Sequence, residues 1–295
     1  MDWDKLRIFH TVAEAGSFTS ASSALSLSQS AISRQIGALE ANLKVTLFHR
    51  HARGLKLTEA GRLLLDATRD INARLAAAES KLYESRARPS GPLRITTTVG
   101  FGSIWLTPRI REFLSGYPDI EVTLVLDDRQ LDLAMGEADI AIRMAPPLQP
   151  NLIQRRLLTV RFYVYAAQAY LKKAPPLERP EQLGDHRLIT YGDALSRPPL
   201  PNARWLLELA ADPARPRRPA LKLNTVYGVF RAVQCGLGVA ALPDYLGASD
   251  PTLVRVLPEL EGHKVEAYFV YSKEVRNARR LTAFRDFLVK KVAEG

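Results

Sequence analysis

Leu27-Ser28-Gln29-Ser30-Ala31-Ile32-Ser33-Arg34-Gln35-Ile36-Gly37-Ala38-Leu39-Glu40 carries two messages on one helix. Ile32, Ile36, Leu39 and Leu43 recur at helical spacing and mark a buried stripe, with Ser28 placed to cap the start. Gln29, Ser30, Ser33 and Arg34 cluster on the first turns, where a recognition helix presents side chains to base edges. Arg pairs with guanine, Gln with adenine and Ser with several acceptors, so these residue types suit the task. Ser and Gln on a first turn are also ordinary capping and solvated residues, so the surrounding segments must decide.

Upstream, Trp3, Leu6, Phe9 and Ala13 form an apolar helical face that ends at Gly16-Ser17, where Gly16 is free to take positive φ. A short helix over 19–25 and a turn at Ser26-Leu27 complete a three-helix order. Downstream, 47–50 and 55–58 read as two short strands around His51-Ala52-Arg53-Gly54, a wing with a basic tip. Arg53 suits the minor groove and Arg50 a phosphate, contacts that set register rather than sequence. His49 and His51 form only an H-x-H pair without further nearby ligands, so neither a metal nor a cofactor is expected.

Taken together, Phe9-His10-Thr11-Val12-Ala13-Glu14-Ala15-Gly16-Ser17-Phe18, the stretch 27–40, Leu47-Phe48-His49-Arg50 and Leu57-Thr58-Glu59-Ala60-Gly61 resemble the signature of LysR-type transcription regulators. Asp139-Ile140-Ala141-Ile142-Arg143 and Gly236-Leu237-Gly238-Val239-Ala240-Ala241-Leu242-Pro243 extend the resemblance more loosely. It implies a sequence-specific regulator, usually tetrameric, that binds an interrupted dyad in double-stranded DNA and answers to a small effector. It also implies a regulatory half like the periplasmic binding proteins, and it leaves RNA polymerase open as a partner.

Thr58-Glu59 can open a second long helix, in which Ala60, Leu64, Ala67, Ile71, Leu75, Ala78 and Leu82 step by four, three, four, four, three and four. An eleven-residue period, about 3.67 residues per contact, predicts a nearly straight or slightly right-handed helix pair. Leu64, Ile71, Leu75 and Leu82 are therefore the dimerisation candidates. The alternative is that this stripe packs on its own domain. From Thr58 to Arg86 the helix would span about 43 Å, enough to separate two recognition helices by the roughly 34 Å of one DNA turn.

Arg88-Pro89-Ser90-Gly91-Pro92 is a breaker cluster, and the texture changes there. The expected units are a winged helix-turn-helix over 1–58, a linker helix over 59–88 and a regulatory domain over 92–295. Strands near 93–98, 120–126, 140–142, 162–166, 187–190 and 239–242 alternate with helices near 103–115, 131–135, 226–235 and 280–293. That is an α/β signature, read as two lobes, about 92–161 plus 267–295, and 162–266. The whole is thus an α/β protein with an N-terminal all-α winged module.

Ligands of open α/β sheets sit beyond the C-terminal strand ends, here 99–103, 127–129 and Arg143. Thr225 precedes another helix start. Two helix N-termini and an arginine favour an anion, so a carboxylate-bearing effector is expected on Gly102, Ser103, Asp128, Arg143 and Thr225. The plainer reading makes Ser103 and Thr225 caps and pairs Arg143 with Asp127 or Asp128.

The remaining features exclude more than they assign. A net charge of +10 over 295 residues admits a polyanionic partner, although the excess is not confined to the first domain. The single cysteine, Cys235, excludes an internal disulfide and reads first as a buried packing residue, second as a redox-sensing thiol. An acidic N-terminus and the lack of a membrane-length apolar run predict a cytoplasmic protein without membrane contact. Gly100-Phe101-Gly102 after a strand, with Asp127 ending the next, offers a nucleotide-sensing rival, but Trp105 fills the third glycine position. An α/β enzyme is the other rival. No G-x-S-x-G, H-E-x-x-H, P-loop or Cys-x-x-Cys motif is present, so no catalytic residue is expected. Arg215-Pro216-Arg217-Arg218-Pro219 reads as a solvated loop.

Overall fold

Phe9 is fully enclosed, and the first unit is built around it. In the computed structural model the described residues are 2–25, 27–51, 54–84, 88–133, 136–147, 152–192 and 204–294. Two compact units emerge, one built on Met1–Glu79 and the other on Ser80–Leu133 with Glu137–Gly295.

In the first unit α1 (Trp3–Ala15), α2 (Phe18–Leu25) and α3 (Gln29–Leu43) precede a hairpin of β1 (Phe48–His51) and β2 (Gly54–Leu57), and α4 (Glu59–Glu84) follows. Leu6, Phe9 and Val12 of α1 meet Ile32, Ile36 and Leu39 of α3 in one core. The expected α1 face was displaced at both ends: Trp3 is 43% exposed at the first helical residue, and Val12 rather than Ala13 is buried. Gly16 takes φ 65° and donates its N–H to the Val12 carbonyl, ending α1 as its sequence predicts. The wing is tighter than expected, because His51 pairs with Gly54 inside the ladder. Its turn, Ala52-Arg53, lies outside the described residues.

Glu40 ties this hairpin to α3, one carboxylate oxygen accepting the Leu47 and Phe48 N–H groups at 2.7 and 3.2 Å. The Thr58 hydroxyl donates to the Thr46 carbonyl and accepts from the Gly61 N–H at 2.9 Å, capping α4. A Cβ at Gly61 would lie 2.1 Å from the Leu47 carbonyl oxygen, so α4 can start this close to the wing only with glycine there.

The second unit is organised by one rail. Its strands are β3 (Gly91–Thr97), β4 (Ile120–Leu126), β5 (Ile140–Arg143), β6 (Leu152–Ala167), β7 (Ile189–Tyr191), β8 (Leu221–Leu223), β9 (Val239–Pro243), β10 (Leu253–Arg255) and β11 (Lys264–Ser272). Its helices are α5 (Thr107–Gly116), α6 (Gln168–Leu171), α7 (Trp205–Glu208), α8 (Val226–Gln234), α9 (Asp244–Gly247) and α10 (Arg279–Glu294). The main sheet runs β10-β6-β11-β5-β3-β4, with β9 also on β6. β3 is parallel to β4 and β5, whereas β6 and β11 pair antiparallel over residues 152–161 and 264–272.

The second half of β6, from Phe162, leaves β11 and pairs with β9 and β10 instead. One continuous strand therefore crosses the expected lobe limit at 161/162. One apolar cluster, with Phe101, Phe113, Phe269 and Phe284, serves the first lobe, and another, with Val229, Val233, Leu242 and Leu246, serves the second. The helix expected near 131–135 does not form over the described residues 131–133. There the Leu131 carbonyl accepts from Arg143 and the Asp132 N–H donates to Glu137, so side chains hold both backbone groups.

Candidate DNA-reading face and effector cleft

The reading face follows directly from α3. Ser28 caps the helix by accepting the Ala31 N–H at 3.2 Å, and the capped first turn carries Gln29 and Ser30, both exposed. Arg34 is exposed one turn on, its Nε donating to the Ser30 carbonyl at 3.4 Å, and Ser33 is half-buried beside it. The structure thus gathers all four expected residues on the same turns, with Ser30 and Arg34 opposite the buried Ile32 and Ile36 and Gln29 exposed at the first residue of the helix. Arg50 belongs to β1 of the adjacent wing, and Arg53 lies outside the described residues.

The apolar stripe of the linker α4 is partly covered near its start, at Ala60 and Leu64, and exposed further along, at Ile71 and Leu75. Leu65 and Thr68 are buried against the first unit, and Ala60 and Leu64 pack at the edge of the same core. Thr68 meets His10 Nδ1 at 3.2 Å, and Arg69 pairs with Glu14 at 2.8 Å, so polar contacts also dock α4 on α1. Burial pulls the His10 pKa below the usual histidine value. Leu64, half-buried at the edge of that core, is thus partly covered by its own domain. Leu63, Ile71 and Leu75 are 69%, 37% and 47% exposed in the single chain. The side chain of Leu82 lies outside the described part of the helix.

In the second unit a cavity of about 80 Å³ opens where strand ends converge. Thr96, Thr97 and Thr98 line it around the end of β3, Asp127 to Leu131 after β4, and Ala141 to Ala145 around the end of β5. Val226, Pro243 and Tyr245 face them from the second lobe, and Val160, Phe162 and Val265 come from the β6–β11 rail. This volume is several times the roughly 10–15 Å³ that one water needs, so a small organic molecule fits.

Asp128 and Arg143 are the expected effector residues that the cavity brings together. Asp128 accepts the Val99 N–H at 3.1 Å, and its other carboxylate oxygen is buried without a hydrogen-bond partner. Burial, reinforced by the Asp127 charge, pushes its pKa above the usual carboxylate value, against the Val99 hydrogen bond. Arg143 is 6% exposed, and its Nη2 donates to the Leu131 carbonyl at 2.7 Å. Burial lowers its pKa, with Asp132 opposing. Asp127 pairs with Arg129 at 2.7 Å, so it is not the partner that the plainer reading gave Arg143.

Three expected residues do not line the cavity. Gly102 packs against the sheet, where a Cβ would lie 2.2 Å from Leu126 Cδ2. Ser103 falls inside a π-helical turn, Phe101–Leu106, that runs into α5. Thr225 is the N-cap of α8, its hydroxyl accepting the Gly228 N–H at 2.9 Å, and its neighbour Val226 reaches the cavity instead. Sequence reasoning also missed Phe162 and Tyr245. Tyr245 sits on short α9 with its phenol pushed above its usual pKa by burial, and no local pattern marks it.

Two further expectations change. Cys235 is exposed, because it caps α8 beyond the buried Ala232 and Val233. Arg217 is not merely solvated: its guanidinium donates to the carbonyls of Leu209, Pro180, Glu181 and Ala210 and so pins α7 beside the turn Pro180–Asp185. Among the described residues no group of three or more His, Cys, Asp or Glu is placed to hold a metal, and no helix is long and apolar enough to cross a membrane.

Comparison with known proteins matches residues 3–62 to the bacterial regulatory helix-turn-helix of the lysR family and residues 86–293 to the LysR substrate binding domain. An HTH-type transcriptional regulator of Xanthomonas campestris is 31% identical, covering 98% of this chain and 85% of its own. PtxR of Pseudomonas aeruginosa is also 31% identical, covering 98% of this chain and 92% of its own. Among solved structures, the full-length Vibrio cholerae virulence activator AphB superposes with a TM-score of 0.65 at 27% identity, over 98% of this chain and 99% of AphB.

Proposed function

Since this chain belongs to the LysR family of DNA-binding transcription regulators, we propose that α3 reads one half of an interrupted dyad and that a small anionic effector in the cleft sets how the subunits engage it. The family consists of regulators rather than enzymes, and the chain carries an effector domain whose place in the family is a small-molecule response. Gln29, Ser30, Ser33 and Arg34 read base edges, and Arg50 and Arg53 hold the backbone. Ile71 and Leu75, with Leu82, form the seam between two linker helices, in a homotetramer built from such dimers. The working boundaries are 1–58, 59–88 and 92–295.

One observation carries the effector reading: Arg143, nearly excluded from water, lines the cavity and is held by the Leu131 carbonyl. A buried guanidinium is strongly favoured when an anion completes its hydrogen bonds. Occupancy regulates only through differential affinity for two states, so binding must also change DNA affinity. Calorimetric titration of a carboxylate library into the full chain, with Arg143→Ala as comparison, tests this. Binding that Arg143→Ala weakens and that shifts operator affinity supports the reading, and equal binding by both proteins overturns it.

A further inference from the structure

The place at the start of the first-lobe helix that sequence reasoning gave to a ligand's anion is already occupied by the protein's own carboxylate. Asp128 accepts the Val99 N–H there, at 3.1 Å. A ligand carboxylate entering the same place would meet like charge. The acidic group of an effector is thereby directed to Arg143, and Asp128 asks for the opposite chemistry.

The Asp128 carboxylate is incompletely answered within the chain. One oxygen is buried with no hydrogen-bond partner, and leaving such an atom unpaired is unfavourable. The nearest basic side chain in sequence, Arg129, is engaged with Asp127 and largely exposed. The aspartate's terminal torsion is soft, so a small rotation presents either oxygen to the cavity. The same lining supplies apolar side chains, Ile142, Val160, Phe162, Val226 and Val265 among them.

We propose that the effector is a zwitterion of amino-acid type with an apolar body: its carboxylate faces Arg143 and its protonated amine faces Asp128. The inference rests on the anionic-effector reading above and adds the cationic group. An ammonium supplies donors to both Asp128 oxygens, keeps the carboxylate ionised, and leaves the Val99 hydrogen bond in place. A purely acidic ligand, or a neutral one without donors, leaves the Asp128 carboxylate unanswered.

The test uses full-length protein and matched triplets on one carbon skeleton: leucine, isocaproate and isoamylamine; phenylalanine, hydrocinnamate and phenethylamine; and the other apolar amino acids with their deaminated acids. Affinities are measured by calorimetry for the parent, Asp128→Asn and Arg143→Gln. Asn retains an acceptor for Val99 and the shape of Asp, and its unliganded melting temperature reports that it is folded. The expected result is a zwitterion that binds about tenfold or more tightly than its deaminated acid, a margin that Asp128→Asn removes while the acid's own affinity changes less than about twofold. Arg143→Gln weakens both. If the acids bind as tightly as the zwitterions, or Asp128→Asn keeps the margin, the zwitterion proposal falls and the anionic reading stands. If Arg143→Gln leaves the acids' affinity unchanged, or no compound in the series binds, both fall.

Discussion

The two units place their functional polar groups in opposite environments. On α3, Gln29, Ser30 and Arg34 are exposed to water on a helix that buries Ile32, Ile36 and Leu39. In the cleft, Asp128 and Arg143 are drawn inward from separate strand ends and lose much of their hydration. An outward charge adds little to or subtracts little from stability, so the reading face can change without disturbing the fold. An inward charge lacking full partners is unfavourable until something binds, so the cleft's stability, protonation and ligand chemistry are one problem. Substitutions at the outward residues of α3 should therefore leave the fold alone, whereas substitutions of Asp128 or Arg143 should change its stability.

The largest effect should come from the shared foundation of the reading face. Phe9→Ala removes a fully buried ring beside Phe48 and should destabilise the first unit by about 3–5 kcal/mol. Thermal melting should register the loss together with loss of DNA binding. A stable, DNA-binding Phe9→Ala protein would break the claim that the outward residues depend on this core. Next is α4, where Ile71→Glu or Leu75→Glu should convert the dimer to monomer, because a partner helix would bury an unpaired carboxylate at a penalty of several kcal/mol. Both positions are exposed in the single chain, so the monomer should melt almost normally. Sedimentation that still shows a dimer at micromolar concentration would move the seam to another face.

These cases also explain what the sequence could reveal. The faces of α3 were legible because contacts inside a helix recur every three or four residues, and Ser28 and Gly16 announce its caps and its neighbour's end. The stripe on α4 was only half legible: periodicity showed that Leu64 and Ile71 share a side but not that Leu64 meets the core of its own domain while Ile71 does not. The first half of β6, Leu152 to Arg161, hid its strand behind Gln154, Arg155 and Arg156 on an exposed stretch. No strand was expected over β11, although Val265, Ala267 and Phe269 alternate inward. In the cleft, strand ends pointed to Asp128 and Arg143, whereas Phe162 and Tyr245 arrive through long-range pairing that no local pattern records.

A smaller effect separates recognition from affinity. Arg34→Ala should cost about 1–3 kcal/mol at one position of the operator and leave the melting temperature unchanged. Arg50→Ala should weaken operator and scrambled DNA alike and flatten the salt dependence. Titrations at several salt concentrations distinguish them. Unchanged affinity of Arg34→Ala for both DNAs would reassign the recognition helix.

The smallest effect is the most direct measure of the inward site, because it needs no ligand. Asp128 has its pKa raised in the folded protein, chiefly by burial, so the folded state holds its proton more tightly than the unfolded chain. The stability linked to that proton is fully present below the unfolded carboxylate pKa, about 3.9, and is lost as pH rises through the higher folded value. Above that folded value the unliganded protein contains an unfavourable, ionised carboxylate. Asp128→Asn removes that charge and preserves an acceptor for the Val99 N–H, so the variant should melt higher than the parent at about pH 8. The gain should be only a few degrees, since 1 kcal/mol corresponds to ~2–4 °C for a domain of this size. It should shrink as pH falls toward the unfolded pKa, where the parent's carboxyl is also neutral. Arg34→Ala, changed in the same experiment, should show no such pH-dependent difference, because its side chain is exposed. If Asp128→Asn instead melts lower at all pH values, the ionised carboxylate is stabilised within the chain, and the cleft is no less comfortable than the outward face of α3.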